Sequence, residues 1–155
     1  MSNLRIKLKS YLDASIKKKD DLSVSTVRLI IAAIKDRDIE YRAKNEANEI
    51  NDSEILNLLQ NMIKQRNASI EMYIQGKRDD LVKIEEDEIK IISNFLPEQL
   101  SENEINDIIT NSIRSSEAKS IRDMGKVINL IKEEYNGKMD FEVVSKIIKS
   151  KLLNL

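Results

Sequence analysis

The sequence contains no cysteine and no histidine. Without cysteine, the protein has no disulfide framework, thiolate nucleophile or cysteine-based metal site. Without histidine, it lacks the commonest general base and the commonest ligand for transition metals. No catalytic serine–histidine–aspartate arrangement or phosphate-binding glycine loop is available, so we expect no catalytic site, no cofactor and no bound metal. A pair of facing carboxylates in an open pocket is the one catalytic alternative that the sequence leaves open.

Glycine and proline are also scarce, with only 3 Gly and 1 Pro in 155 residues. Sheets and turn-rich folds usually need more of both, so this composition predicts an all-α fold. No apolar run approaches the roughly 18 residues of a membrane-spanning helix. The first 19 residues are basic and amphipathic, and they lack the continuous apolar centre of a secretory signal. These features predict a soluble, cytoplasmic protein with no membrane association.

Charge is abundant but unevenly distributed. Charged residues make up 34% of the chain, and the formal net charge is −1. Residues 1–19 carry six basic side chains and one acidic, whereas residues 79–107 carry two basic and ten acidic. Residues 108–155 carry nine basic and six acidic side chains. Binding to a polyanion must therefore depend on local basic patches rather than on overall charge.

Apolar residues repeat at helical spacing along most of the chain and predict seven helices. Before Pro97 the predicted helices are mostly long, spanning about residues 3–18, 23–44, 52–75 and 79–95. After Pro97 they are short, spanning about residues 102–116, 121–136 and 141–152. The expected architecture is an N-terminal bundle of long helices over residues 1–96, followed by a compact three-helix domain over residues 97–155.

Local residue choices mark several helix ends. Ser101 and Glu104 have the spacing of a capping box at the start of the fifth helix. Gly76 is expected in the left-handed conformation that ends the third helix. Gly137 is expected to end the sixth helix. These signals support the predicted boundaries independently of the apolar stripes.

One arginine lies where an apolar residue is expected. Arg66 falls inside the apolar stripe of the third helix, four residues from apolar neighbours on either side. We expect its guanidinium to form an ion pair with Glu85 or Glu88 of the next helix. The other acidic residues of the run 85–88 point elsewhere, so a solvated acidic face is expected there rather than a metal site.

Short motifs along almost the whole chain resemble the GatB/YqeY-type family, in particular its stand-alone YqeY-like proteins. The motifs that carry the resemblance are STVRL at 25–29, AAIK at 32–35, KQR at 64–66, GKRDDL at 76–81, FLPEQLS at 95–101, DMGKV at 123–127, and GK at 137–138 followed by VV at 143–144. Asn129 and Met139 depart from the family pattern, which has small residues at these places.

The resemblance implies a C-terminal domain similar to the tail domain of the B subunit of tRNA-dependent amidotransferases. In those enzymes the tail helps to hold the tRNA, while the chemistry occurs elsewhere in the assembly. The resemblance therefore implies a non-catalytic accessory module that binds tRNA or a translation-related, amidotransferase-type complex. A label of carbon–nitrogen ligase activity with glutamine as amido-N-donor would rest on homology only. The alternative is a protein–protein adaptor with no nucleic-acid contact.

Basic side chains of the last three helices are the candidate nucleic-acid-binding residues. The predicted set is Lys119, Arg122, Lys126, Lys138, Lys146 and Lys149. Cations that share one face can neutralise phosphates and release counterions without reading a base sequence. No aromatic residues are interleaved with them, which favours contact with the shape of a folded RNA over single-strand stacking. An ordinary solvated surface is the competing interpretation.

Two further features have both a structural and a functional interpretation. The first helix carries a second basic set, which binds RNA or anionic lipid or simply keeps the surface solvated: Arg5, Lys7, Lys9, Lys17, Lys18 and Lys19. Gly125 lies at the edge of the buried stripe of the sixth helix. We expect it to permit close contact between two helices, with close approach of an RNA backbone as the alternative.

Overall fold

The computed structural model describes residues 3–44 and 49–155. These residues form only helices and connecting segments, so the predicted all-α fold is confirmed. The helices are α1 (Asn3–Lys18), α2 (Asp21–Lys44), α3 (Asp52–Gln75), α4 (Asp79–Ser93), α5 (Glu102–Ser115), α6 (Met124–Tyr135) and α7 (Phe141–Leu153), with a 3₁₀ turn (Ile121–Asp123) directly before α6. The chain divides into two compact units, Met1–Pro97 and Glu98–Leu155.

The N-terminal unit packs α1 to α4 around one apolar core. Each helix contributes residues at three- and four-residue spacing, because this spacing places side chains on one helix face. The buried members are Leu8, Val27, Ile30, Ile34, Ile50, Ile55, Leu58, Leu59, Met62, Ile91, Ile92 and Phe95. Tyr11 packs edge-on against Phe95 with ring centroids 5.1 Å apart. This core ties the first helix to the end of α4.

The core does not extend along the whole α3–α4 hairpin. Every residue from 63 to 90 is half-buried or exposed, whereas Met62 and Ile91 on either side of this segment are buried. Side chains such as Ile70 and Tyr73 are only half-buried in this outer part. The outer hairpin therefore relies on contacts between α3 and α4 without a fully buried interior.

The turn between α3 and α4 differs from the prediction for Gly76. Gly76 has φ −82°, and its N–H group still donates to the carbonyl of Met72, so the helical hydrogen bonding reaches this residue. The left-handed conformation falls one residue later, on Lys77, with φ 55°. A residue with a Cβ pays about 1 kcal/mol for this conformation. The hydrogen bond from the Arg78 N–H to the Tyr73 carbonyl closes the turn.

The C-terminal unit packs α5, α6 and α7 around a second core. The buried members are Ile109, Val127, Ile131, Met139, Val144, Ile148 and Leu152. The predicted capping box at α5 is present, with Ser101 and Glu104 each bonding to the backbone of the other. Gly137 has φ 81° in the turn that follows α6, where the Lys138 N–H donates to the Tyr135 carbonyl at 3.0 Å. The short α6–α7 connection places these two helices side by side.

Candidate nucleic-acid interface

A compact turn at the start of α6 brings three of the predicted cations together. The carboxylate of Asp123 accepts hydrogen bonds from the backbone N–H groups of Lys119 (2.9 Å) and Ser120 (3.3 Å). These two backbone bonds, aided by the charges of Lys126 and Lys119, hold the pKa of Asp123 below its ordinary value. The side chains of Lys119, Arg122 and Lys126 are exposed around this turn. We call these three residues the α6 cation cluster.

The α6 cation cluster lies where a helix is least favourable for positive charge. The N-terminal end of a helix carries about half a positive elementary charge, which attracts anions and repels cations. Lys126 occupies the first turn of α6, and Arg122 lies in the 3₁₀ turn directly before it. Asp123 supplies one negative charge against the three positive ones. The cluster therefore does not stabilise α6, and it adds to the attraction that the helix end has for an anion.

The other three predicted residues lie outside this turn, one after the opposite end of α6 and two on α7. Lys138 follows α6 at its opposite end, about 18 Å along a helix of 12 residues. It is half-buried, and its ammonium lies 6.0 Å from the centre of the Tyr135 ring. Lys146 and Lys149 are exposed on the outward face of α7. Three of the six predicted residues therefore lie in or beside the turn before α6, one follows the other end of that helix, and two lie on α7.

All six predicted side chains share one electrostatic property. Among residues 3–44 and 49–155, none of them has a carboxylate oxygen within 4.0 Å. Lys151, a lysine of the same unit outside the predicted set, donates a hydrogen bond from Nζ to the hydroxyl of Thr110 at 3.3 Å. Cations that are not paired with a carboxylate keep their charge available for phosphate groups.

Sequence reasoning missed one basic neighbour of this cluster. A recess of about 580 Å³ is lined by Arg114 and Lys119 together with apolar side chains such as Ile113 and Ala118. Arg114 lies in the last turn of α5, where a basic residue is expected simply to complement the helix dipole. Arg114 and Lys119 both line this recess, together with the acidic Glu117.

The prediction of close helix packing at Gly125 is wrong. Gly125 is exposed in the first turn of α6, and a Cβ built there would meet no atom within 4 Å. The buried stripe of this helix runs through Val127 and Ile131 instead, so Gly125 faces solvent. Its missing side chain leaves a smooth surface beside Lys126. The alternative interpretation, close approach of a ligand backbone, remains a prediction.

The second basic set, on the first helix, is reduced by internal pairing. Arg5 donates to both carboxylate oxygens of Asp38, at 3.0 and 2.9 Å, and to the carbonyl of Ile50 at 3.0 Å. The backbone N–H of Ile50 donates to the same carboxylate at 2.9 Å. Lys7 donates to the carbonyl of Asn94 at 3.0 Å. These two cations therefore have structural roles. The sequence could not show this, because their partners lie far along the chain.

The predicted ion pair of Arg66 is confirmed. Its Nε lies 2.8 Å from a carboxylate oxygen of Glu88 and 4.0 Å from one of Glu85. Burial, with the negative charge of Glu88, raises the pKa of Glu85 above its ordinary value despite the opposing effect of Arg66. Further along the acidic run, Asp87 pairs with Lys83 at 2.9 Å.

Comparison with known proteins assigns the chain to a family. A family profile described as "Yqey-like protein" matches residues 5–152. The chain belongs to the YqeY-like family. The resemblance noted from its motifs is thereby confirmed, and the match includes both the N-terminal unit and the α6 cation cluster.

Several fungal proteins are similar to this YqeY-like chain. "Altered inheritance of mitochondria protein 41, mitochondrial" from Lachancea thermotolerans is 37% identical over 97 residues, covering 56% of this chain and 50% of the relative. The protein of the same name from Pyrenophora tritici-repentis is 29% identical over 146 residues, covering 92% of this chain and 77% of the relative. An uncharacterized protein from Schizosaccharomyces pombe is 30% identical over 99 residues, covering 64% of this chain and 76% of the relative. The matches span about half the length of the first three curated relatives.

In the part of the chain that the structure describes, none of the helices combines the length and apolar character needed to cross a membrane. The names of the relatives from Lachancea thermotolerans and Pyrenophora tritici-repentis refer to mitochondria. The cytoplasmic location expected from the sequence stays a prediction.

Proposed function

We propose that this YqeY-like protein is a non-catalytic accessory protein that binds folded RNA, with tRNA as the expected ligand. The observation that carries the proposal is the α6 cation cluster, whose three exposed cations lie in or directly before the first turn of a helix and have no carboxylate within 4.0 Å among the described residues. A protein gains no stability from this arrangement. A phosphate group placed there would be attracted by the side chains and by the helix end together.

The surface around the cluster favours shape recognition over base recognition. The two aromatic side chains closest in the sequence, Tyr135 and Phe141, are half-buried against the core rather than presented as a platform. Single-strand binding by base stacking needs exposed aromatic faces. Gly125 leaves room for a sugar–phosphate backbone beside Lys126. These features support contact with the phosphates of a folded RNA.

The test is salt-dependent binding of bulk tRNA to the full-length chain. We expect binding that weakens steeply between low and physiological salt, because counterions are released when phosphates are neutralised. The double variant Arg122→Ala/Lys126→Ala is expected to reduce the slope of log K against log salt by about 2. The double variant Lys9→Ala/Lys35→Ala removes the same charge from two exposed positions of the N-terminal unit, and it should leave the slope nearly unchanged.

Two results would contradict the proposal. One is the absence of measurable tRNA binding at low salt with a chain whose helical content is intact. The other is an equal loss of binding in both double variants, which would indicate a response to net charge alone. Single Lys138→Ala, Lys146→Ala and Lys149→Ala variants then show whether the contact extends beyond the α6 cation cluster.

Association with amidotransferase-type machinery is the more specific part of the proposal, and it rests on the resemblance of the C-terminal unit to a tRNA-holding tail. Co-purification of the tagged protein with and without nuclease tests it. An association that disappears with nuclease is bridged by RNA, whereas one that survives is a direct contact between proteins. A direct contact would favour the adaptor alternative.

A further inference from the structure

A groove between α2 and α3 forms a second candidate surface, within the N-terminal unit. Its volume is about 700 Å³. Its floor consists of aliphatic side chains, namely Leu29, Ala33, Leu58, Met62 and Ala68. Leu29 is 52% exposed, so its side chain is open to solvent at the groove. Three motifs that the proposed function does not use, STVRL, AAIK and KQR, contribute residues to this groove.

The groove has the dimensions of a seat for a helix. Leu29, Ala33 and Arg37 are four residues apart and form one ridge of α2. Residues 58–68 of α3 provide the opposite ridge, and their span corresponds to about 15 Å of helix. A ligand helix of about three turns would match this length. Ridges of this kind are the surfaces into which the side chains of another helix pack.

The rim of the groove is cationic and polar. Arg37, Lys64 and Arg66 line it, together with the amide side chains of Asn61 and Gln65. The charge of Arg66 is taken up by its pair with the α4 carboxylates. Arg37 is exposed, and among the described residues it has no carboxylate within 4.0 Å.

The residues that line the groove include neither an aromatic side chain nor a carboxylate. Asp36 and Glu40 of α2 are exposed beside Arg37 in sequence, but they are not lining residues. The groove thus presents an aliphatic floor beside the exposed charge of Arg37, and none of its lining residues is acidic.

We propose that this groove binds an amphipathic helix of a partner protein, whose apolar stripe is flanked by acidic side chains. An aliphatic floor bounded by two helices suits the helix-in-groove mode of recognition, with anchors at three- and four-residue spacing. The cationic rim selects acidic flanks. RNA is the poorer fit, because its phosphates would contact the rim but leave the aliphatic floor without a partner. This groove belongs to the N-terminal unit and the α6 cation cluster to the C-terminal unit, and each proposal can fail alone.

The probe is a pair of synthetic 16-residue helical peptides with the same leucine stripe, one flanked by glutamate and the other by lysine. Binding is followed through the methyl NMR signals of the full-length protein. We expect the acidic peptide to shift the signals of Leu29, Ala33 and Met62, and to bind roughly tenfold more tightly than the basic peptide. Equal binding of both peptides, shifts confined to other residues, or no shift at all would overturn the proposal.

Matched variants locate the contact. Ala68→Trp fills the groove from an exposed position and should abolish binding of the acidic peptide, whereas Asn67→Trp on the neighbouring exposed position should not. Arg37→Glu should weaken binding of the acidic peptide and improve that of the basic one. Lys35→Glu makes the same kind of charge change outside the groove and should have little effect. Equal effects within either matched pair would contradict the assignment.

Two alternative occupants are tested in parallel. If tRNA shifts the groove signals and Arg37→Glu reduces tRNA binding, the groove belongs to the RNA surface and the proposal is wrong. If the free protein associates with itself and Ala68→Trp prevents this, the occupant is a second copy of the chain, which also overturns it. Groove signals unaffected by tRNA and by protein concentration are the expected result.

Discussion

Basic side chains have opposite roles at the core edge of the N-terminal unit and at the start of α6 in the C-terminal unit. In the N-terminal unit, Arg5 and Arg66 lie at the edge of the core and are held by carboxylates at 2.9 and 2.8 Å. In the C-terminal unit, the α6 cation cluster is exposed and has no carboxylate within 4.0 Å among the described residues. The same residue type therefore has a structural role in one unit and is available for a ligand in the other.

The largest expected change in stability comes from removing the side chain of Arg5. Its side chain and that of Asp38 are only 15% and 10% exposed, so Arg5→Ala leaves a largely buried carboxylate without its cation. We expect the free energy of unfolding to fall by about 3 kcal/mol. Urea denaturation measures this loss, with Lys9→Ala, an exposed cation of the same helix, as the control. A loss below about 0.5 kcal/mol, as for an ordinary surface change, would contradict the structural role.

The Arg5–Asp38 pair also predicts a pH dependence. Burial raises the pKa of Asp38, but hydrogen bonds from Arg5 and from the Ile50 backbone outweigh it, and the pKa lies below its ordinary value. A lowered pKa contributes stability above the unfolded value of about 4, and this contribution is lost as pH falls through the folded value. The unfolding free energy of the wild type should therefore fall more steeply below about pH 4 than that of Arg5→Ala.

A smaller change, in this case a gain in the free energy of unfolding, is expected when the charge of Glu85 is removed. Its raised pKa means that the folded state favours the protonated form, so ionisation at neutral pH reduces stability. Glu85→Gln should raise the free energy of unfolding at pH 7 by up to about 1 kcal/mol. The gain should disappear below the unfolded pKa of about 4.3, where the wild-type side chain is neutral in both states. Glu86→Gln, at an exposed position, is the control, and a gain that persists at low pH would exclude this explanation.

In the C-terminal unit, Gly125→Ala tests whether Gly125 has a packing role. The added Cβ meets no atom within 4 Å, so the substitution should stabilise the protein by about 0.5 kcal/mol through the backbone entropy of the unfolded chain. Thermal unfolding measures the gain, and tRNA binding of the same variant tests whether the smooth surface matters. A destabilised variant would show that Gly125 has a packing role after all.

The smallest expected effect is that of Lys126→Gln. Removing a positive charge from the first turn of α6 should raise stability by about 0.3 kcal/mol at low salt, because the helix end repels cations. The gain should vanish at high salt, and tRNA affinity should fall in the same variant. A clear loss of stability would mean that Lys126 has an internal partner, as Arg5 has.

Sequence reasoning could predict the helices because their apolar spacing and capping residues are local signals. It could also predict the Arg66 ion pair, since a charge inside an apolar stripe demands a partner. It could not separate Arg5 from the solvated lysines of the same helix, because Asp38 is 33 residues away and looks like one of many surface acids. The prediction for Gly125 is wrong because this residue lies at the edge of the apolar stripe, and its sequence position alone does not decide whether it faces the core or solvent.

The outer α3–α4 hairpin has a consequence for how the molecule opens. Between residues 63 and 90 the hairpin has no fully buried side chain, whereas Leu59 and Ile92 near its base are fully buried. Local opening is easiest where little apolar surface is buried. Amide protons of the hairpin tip should therefore exchange with deuterium well before those at its base, and the Arg66–Glu88 pair should mark the point where protection rises.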